Sequence, residues 1–332
     1  MLATGFVADR PEEGSLFPSA GGSSADPRVQ AVYWRCIAGF FFSARLANPD
    51  LRLALFSNVA PPVVDGVHVA DVLARLGVEF RDVRLAHRLP ASPPQTFGNV
   101  LYFLDIMHSL ARVRDDLAIA LCDCDMVVTK PLDALFAKLD GADFVGYAID
   151  TPPDEDVNGM TRLDMTAAFE EVAGTRPPAP IVHFGGELFA TRLGSWRAQQ
   201  ERFESLYRRA GEGQGIAGKI ATEEHIFSIA FAELGDRVAA ANDQLKRIWT
   251  SPRFSNVQSG DENLALWHLP AEKRYGLRDL FRDLERRGFP LDMPPSQFVT
   301  LAQRRCGVPR KSPLKILHDG IRQLASKSGM RL

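Results

Sequence analysis

The chain of 332 residues is 45% hydrophobic and 24% charged, the balance of a globular protein with room for one large α/β domain or two ordinary ones. Thirty-nine Lys and Arg against 41 Asp and Glu leave a net charge of −2, which excludes wholesale nucleic-acid binding by a basic field. Four irregularly spaced cysteines exclude a disulfide framework and a four-thiolate zinc site, so reduced thiols are expected.

The start, MLATGFVADRPEEG, lacks the basic leader and apolar stretch of a secretory signal. The longest aromatic-apolar patch, CIAGFFFSARLA, breaks at Arg45 after about nine residues, short of the roughly 20 of a membrane span. A cytoplasmic protein is the expectation. ATGFVAD (3–9) reads as a buried strand with Asp9 at its end, and the Gly/Pro/Ser-rich stretch 11–25 as a loop. Asp26 and Pro27 form a helix start, N-cap followed by proline at the first helical position, for a helix to Leu46. LRLALFSN (51–58) is a second strand, HVADVLARLG a helix closed by Gly77, and VEFRDVRL (78–85) a third strand. NVLYFLDIMHSLARV has helical apolar spacing, and LAIALCD is a fourth strand.

Alternating strands and helices predict a mostly parallel sheet with helices on both faces, whose ligands sit at the carboxyl ends of the strands. Asp9, Asn58 and the pair Asp123/Asp125 all fall at such ends. No Gly-x-Gly-x-x-Gly turn follows the first strand and no Walker loop appears, which argues against a dinucleotide or ordinary ATPase site. Beyond residue 145 the rhythm loosens. IVHFGGELFAT (181–191) reads as a strand, ATEEHIFSIAFAEL as a helix capped by Thr222, and NLALWHLP (263–270) as a late strand ending at His268. The last 32 residues carry eight Lys and Arg against one acid, Asp319.

The pair in ALCDCDMVV is the most informative feature, because an unpaired carboxylate in a low-dielectric interior costs several kcal/mol or more, ~3–5 kcal/mol in measured cases. On an extended segment Asp123 and Asp125 point to one side, roughly 6.6 Å apart along the strand, and Cys122 and Cys124 to the other. Two readings stand: a solvated pair at a strand end, or two oxygen ligands converging on a magnesium or manganese ion.

Taken with what surrounds it, LAIALCDCDMVVTKPLDALF resembles the Asp-x-Asp strand of the metal-dependent nucleotide-sugar glycosyltransferases of the GT-A fold, particularly the retaining, family-eight-like enzymes. The resemblance runs from about residue 3 to 280. TGFVAD is similar to the family's opening strand, which implies that Phe6, Ala8 and Asp9 lie near base and ribose. HFGGELFATRLGSW resembles the acceptor-side strand, and TEEHIFSIAF the helix start of the same half. LWHLPAEKRYGL is similar to the late segment whose histidine binds the metal and whose lysine holds the diphosphate, implying His268 as third ligand and Lys273, with Arg274 beside it, as the cation. The segment from His268 to Lys273 is one residue shorter than the usual form and lacks its glycine. GGE replaces the Asn-containing acceptor motif, with Glu187 in its place. Asn99, Tyr102 and Asp105 occupy the region of an expected basic residue.

The resemblance implies a GT-A domain with a nucleotide-sugar-binding half (1–145), an acceptor-binding half (146–280) and a basic helical extension (281–332). It implies transfer from a nucleoside diphosphate sugar, uridine diphosphate by default, to a glycan, lipid-linked or small-molecule hydroxyl, with retention. Mn2+ or Mg2+ on Asp123, Asp125 and His268 would stabilise the leaving diphosphate, and Asp123 would also face the donor. Glu187, Glu223 and Glu224 are the candidates for catalytic contacts with acceptor or sugar, although Glu223 and Glu224 also suit a helix N-terminus for its dipole alone. In LKILHDGIRQLASK, Ile316, Leu317, Ile321 and Leu324 share a face flanked by Lys315, Arg322 and Lys327, which fits either an anionic inner membrane surface or a helix docked on its own domain. Two other functions remain open: a haloacid-dehalogenase-like phosphatase, which also uses Asp-x-Asp after a strand, and a degenerate transferase that only binds nucleotide or glycan.

Overall fold

The computed structural model describes residues 1–10, 12–89, 97–113, 116–251, 254–313, 315–317 and 319–321. β1 (Leu2–Phe6) is buried along its length, as a central strand covered on both faces must be. The loop after it carries a small hairpin of β2 (Leu16–Phe17) and β3 (Gly22–Ser23). α1 (Pro27–Ala47) begins as its sequence dictates: the Asp26 carboxylate accepts from the Arg28 N–H at 2.8 Å. Its apolar patch is core, with Phe40, Phe41 and Phe42 fully buried.

β4 (Leu53–Ser57), a hairpin of β5 (Val63–Val64) and β6 (Val67–His68), α2 (Val69–Arg75) and β7 (Val78–Asp82) follow. Gly77 closes α2 at φ 65°, a conformation glycine adopts without steric penalty. Next come α3 (Tyr102–Ala111), β8 (Ala118–Cys122), β9 (Met126–Val128), α4 (Asp133–Ala137), β10 (Phe144–Ile149), α5 (Arg162–Ala173), β11 (His183–Arg192) and α6 (Leu193–Glu212). α7 (Glu223–Leu234), β12 (Val238–Ala240), β13 (Leu245–Arg247), β14 (Leu266–His268), α8 (Gly276–Arg286) and α9 (Pro295–Cys306) complete the series.

Among the described residues the main sheet has seven strands in the order β12-β10-β11-β8-β1-β4-β7. All neighbours are parallel except β11, which runs antiparallel between β8 and β10. Alternate residues of each strand feed two cores: Leu53 and Leu55 join α1, whereas Ala54 and Phe56 join the aromatic cluster of α3, α6 and α7 around Phe103, Phe189 and Phe227. A second sheet, β13-β14-β9, stands apart from the first.

That small sheet corrects two expectations. The late strand is only Leu266–His268 and belongs to no main-sheet edge; it pairs antiparallel with β9, setting His268 opposite Met126, and parallel with β13, setting Arg247 beside His268. Asp123 and Asp125 are not on an extended strand either. β8 ends at Cys122, and the pair occupies the bend before β9, fixed by Asp123 N–H to Glu187 O (3.1 Å) and Leu269 N–H to Asp125 O (3.0 Å). The bend, and not strand alternation, turns both carboxylates to one side.

At the C-terminal end Ile316, Leu317 and Ile321 are exposed, but Lys315 is buried with its Nζ 2.7 Å from Glu272 Oε2, so it does not flank their face. Arg322, Leu324 and Lys327 lie outside the described residues. No helix among the described residues is long and apolar enough to cross a membrane.

Candidate active site

Asp123, Asp125 and His268 each offer a ligand atom within 4.8 Å of the others. His268 Nε2 lies 3.2 Å from Asp125 Oδ2 and 3.4 Å from Asp123 Oδ2. Asp125 Oδ2 and His268 Nε2 are both buried and face each other, with Lys273 Nζ 3.0 Å from the same Asp125 oxygen. Two carboxylates and one imidazole so placed form a donor set suited to a divalent ion such as Mn2+ or Mg2+. His268 Nδ1 stands 3.3 Å from Glu187 Oε1, a carboxylate placed to hold the tautomer that leaves Nε2 free for a metal.

Charge in the site is closely matched. Against the opposing pull of burial, Lys273 and His268 hold Asp125 well below the usual carboxylate range, with Lys273 Nζ 3.0 Å from Asp125 Oδ2. Enclosure and the adjacent Asp125 push Asp123 up to about 6. His268, despite burial, is raised to about 9 by Asp125 and Glu187. Lys273 also sits over the Tyr33 ring, 5.4 Å from its centroid, in the geometry of a cation–π contact.

Behind the triad lies a layer that sequence reasoning missed. Arg247 donates to both oxygens of Glu187 (2.7 and 2.6 Å) and to Glu224 Oε1 (2.6 Å). Burial would raise both acids; Arg247 brings Glu187 to about 2 and holds Glu224 lower still. β11 makes room for them through an irregularity against β10 at Gly146/Tyr147. A Cβ on Gly185 would lie 1.9 Å from Glu187 Oε2, and one on Gly186 would lie 2.1 Å from Glu223 Oε1, so the two glycines are where carboxylates pass close to backbone. The signal in the sequence was GGE itself.

A cavity of about 460 Å³ opens beside these groups, within the range of small-molecule sites. Phe6, Asp123, Asp125, His268 and Lys273 line it, together with Glu223 and Glu224. Glu187 does not: it is fully buried beneath, so the structure gives it His268 and Arg247 and no exposed surface for an acceptor. Ala8 is off the cavity wall, its N–H donating to Asn58 Oδ1 at 2.9 Å. Asp9, expected near the ribose, accepts from Ser15 N–H and Ser24 Oγ (2.6 Å each) and pairs with Arg88, which commits it to the loop. Arg274 is exposed and rests against Gly21. Asn99 and Tyr102 reach the cavity wall, whereas Asp105 turns away to His87. Thr222 occupies the N-cap position of α7 but makes no capping hydrogen bond, its buried hydroxyl having no partner among the described residues. Glu223 Oε2 likewise has no hydrogen-bond partner among the described residues, and enclosure together with the Glu224 charge raises its carboxyl well above the usual range.

This combination, a seven-stranded mostly parallel sheet with an acid pair at the end of a central strand, defines the GT-A fold. The solved structure of mouse xyloside xylosyltransferase 1 shares it, at 15% identity and a TM-score of 0.50, over 80% of this chain and 96% of that one. The galactosyltransferase LgtC, solved in complex with donor and acceptor sugar analogues, aligns at 13% identity and a TM-score of 0.48, over 87% of this chain and 99% of its own. Neither a protein-family model nor a curated protein matches the sequence.

Proposed function

We propose that this protein is a metal-dependent glycosyltransferase that moves a sugar from a nucleoside diphosphate sugar, with uridine as base, to an acceptor hydroxyl with retention of configuration. The observation that carries the reading is the convergence of ligand atoms from Asp123, Asp125 and His268, all within 4.8 Å of one another, on the wall of a ligand-sized cavity. Asp123, Asp125 and His268 would hold Mn2+ or Mg2+, which supplies positive charge where the departing diphosphate becomes negative. Lys273 adds a fixed cation on the same side. Phe6 and Tyr33, their ring centroids 5.5 Å apart and their planes inclined by 29°, form an aromatic wall beside Lys273 for base and ribose. Glu223, whose carboxyl is held well above the usual range by enclosure and the Glu224 charge, contacts a sugar or acceptor hydroxyl through the cavity wall. Glu224 and Glu187 act through Arg247, Glu187 additionally orienting His268. Residues 1–145 serve the donor and 146–280 the acceptor.

A thermal-shift screen of nucleoside diphosphate sugars with and without Mn2+, followed by turnover of each stabilising donor, tests the proposal. A Mn2+-dependent rise in Tm with one donor, and release of its nucleoside diphosphate, is expected. Absence of any metal-dependent shift overturns the reading, and binding without turnover reduces it to a nucleotide-binding protein. Nothing in the fold supports the phosphatase alternative. The exposed Ile316, Leu317 and Ile321 support contact with the inner membrane face; liposome sedimentation should be lost in an Ile316→Ser/Leu317→Ser/Ile321→Ser variant.

A further inference from the structure

A second group of ligating side chains lies apart from the cavity, where α3 and α6 pack together. Asp105 and His108, three residues apart, share one face of α3. Glu204 comes from α6, and His87 from the segment that follows β7. His87 Nε2 is 2.9 Å and His108 Nε2 3.1 Å from the same oxygen, Glu204 Oε1. Both imidazoles thus converge on one buried carboxylate oxygen.

The tautomer of His87 is fixed by what lies behind it. Its Nδ1 is 2.7 Å from Asp105 Oδ1, and a carboxylate accepts, so Nδ1 carries the proton. In the neutral ring Nε2 then presents a lone pair to an anionic oxygen, which is repulsive. The arrangement is satisfied by a cation shared among the three atoms, or by a second proton on His87. The convergence of three ligand atoms from His87, His108 and Glu204, all within 4.8 Å of one another, favours the shared cation.

We propose that His87, His108 and Glu204 form a zinc site, distinct from the Asp123/Asp125/His268 triad, with Asp105 as the carboxylate that orients His87. Two imidazoles and a carboxylate are borderline-soft donors suited to Zn2+, and separations of 2.9 and 3.1 Å are close to the ~3.3 Å edge of a tetrahedron with ~2.0–2.1 Å bonds. The fourth position is left to water. The ion's two charges match Glu204 and Asp105. The site is also held in shape without the ion: Asp105 Oδ2 accepts from the Ala86 and His87 N–H groups (3.1 and 3.2 Å), and the Tyr207 hydroxyl both accepts from Arg88 N–H and donates to Arg88 O (3.2 and 3.1 Å). Arg88, next to His87, pairs with Asp9, and Asp9 holds the 15–24 loop that carries Ser19 to Lys273. Zinc at His87 therefore staples the segment on which one wall of the cavity depends.

Zinc titration against a chromophoric chelator, using the full chain with Asp125→Asn to disable the triad, tests the assignment. One zinc per chain at sub-micromolar affinity is expected, and Co2+ in its place should give the visible bands of a four-coordinate site. Asp105→Asn should weaken zinc by about 10–100-fold, and His108→Ala or Glu204→Gln by at least as much. Circular dichroism and Tm in EDTA report whether each variant folds; should His108→Ala not fold, the nearly isosteric Glu204→Gln decides. Zinc affinity unchanged by Glu204→Gln, or no zinc bound at tenfold excess, overturns the proposal and leaves an ion-paired imidazolium.

Discussion

Arg247→Met keeps the bulk of the side chain and removes its charge, leaving two buried carboxylates without their shared cation. The loss follows from the acids. Holding Glu187 at about 2 instead of its ordinary 4.5 corresponds to about 3 kcal/mol at neutral pH, and Glu224, also held low, adds to it. Removing one partner of a buried pair typically costs about 3–5 kcal/mol, a large share of the ~5–15 kcal/mol that stabilises a domain. Urea unfolding followed by tryptophan fluorescence, in EDTA, should show a loss in that range at pH 7.5. The sign of its pH dependence is fixed. A carboxylate depressed in the folded state stabilises above its unfolded pKa, and this is lost as pH falls from about 4.5 through about 2. In the variant Glu187 and Glu224 are no longer held down and take up protons at higher pH, so the gap to wild type should narrow between pH 7.5 and 4. Adding Glu187→Gln or Glu224→Gln should restore part of the loss. A deficit below about 1 kcal/mol at pH 7.5, or one that does not change on acidification, would refute the reasoning.

Metal binding at the triad should release about one proton at pH 7.5, because His268 is held at about 9 without metal and must give up a proton to coordinate; calorimetry in buffers of different ionisation enthalpy measures this, and zero release would remove His268 from the ligand set. Lys273→Met should lower kcat by about 100–1,000-fold, the scale of losing one preorganised charge contact, whereas a loss under about tenfold would take its ammonium out of the leaving-group path. Gly185→Ala places a methyl 1.9 Å from Glu187 Oε2, within a pair that has no slack, and should cost about 1–3 kcal/mol in thermal denaturation. An unchanged Tm there would mean that the Glu187–Arg247 pair relocates freely.

Much of this architecture was legible because it is written in short range. Asp26–Pro27 started α1, Gly77 closed α2, and apolar runs bounded by polar residues marked β1, β4 and β8. The order of those units implied the parallel half of the sheet. Pairings between distant side chains were not written that way. Arg247 sits in DQLKRIWTS, where nothing local distinguishes it from any other basic residue; only the β13–β14 register brings it beside His268, and only β11 brings Glu187, 60 residues earlier, under it. The same limit explains Asp9: its position at a strand end is visible in sequence, but its capture by Ser15, Ser24 and Arg88 depends on how the following loop folds back. Glu187 was legible as a candidate for contact with acceptor or sugar, while its pairing with Arg247 and His268 was not.

The antiparallel register of β14 on β9 also has a bearing on synthesis. Asp123 and Asp125 leave the ribosome some 140 residues before His268. At roughly 5–20 residues per second they wait about 7–30 s for the histidine and lysine that offset them. During that interval the β8–β9 bend has every reason to stay hydrated, so this end of the central sheet closes only when the distal third of the chain arrives. A message truncated before that point would yield a polypeptide with most of its sheet and an acid pair that cannot be buried.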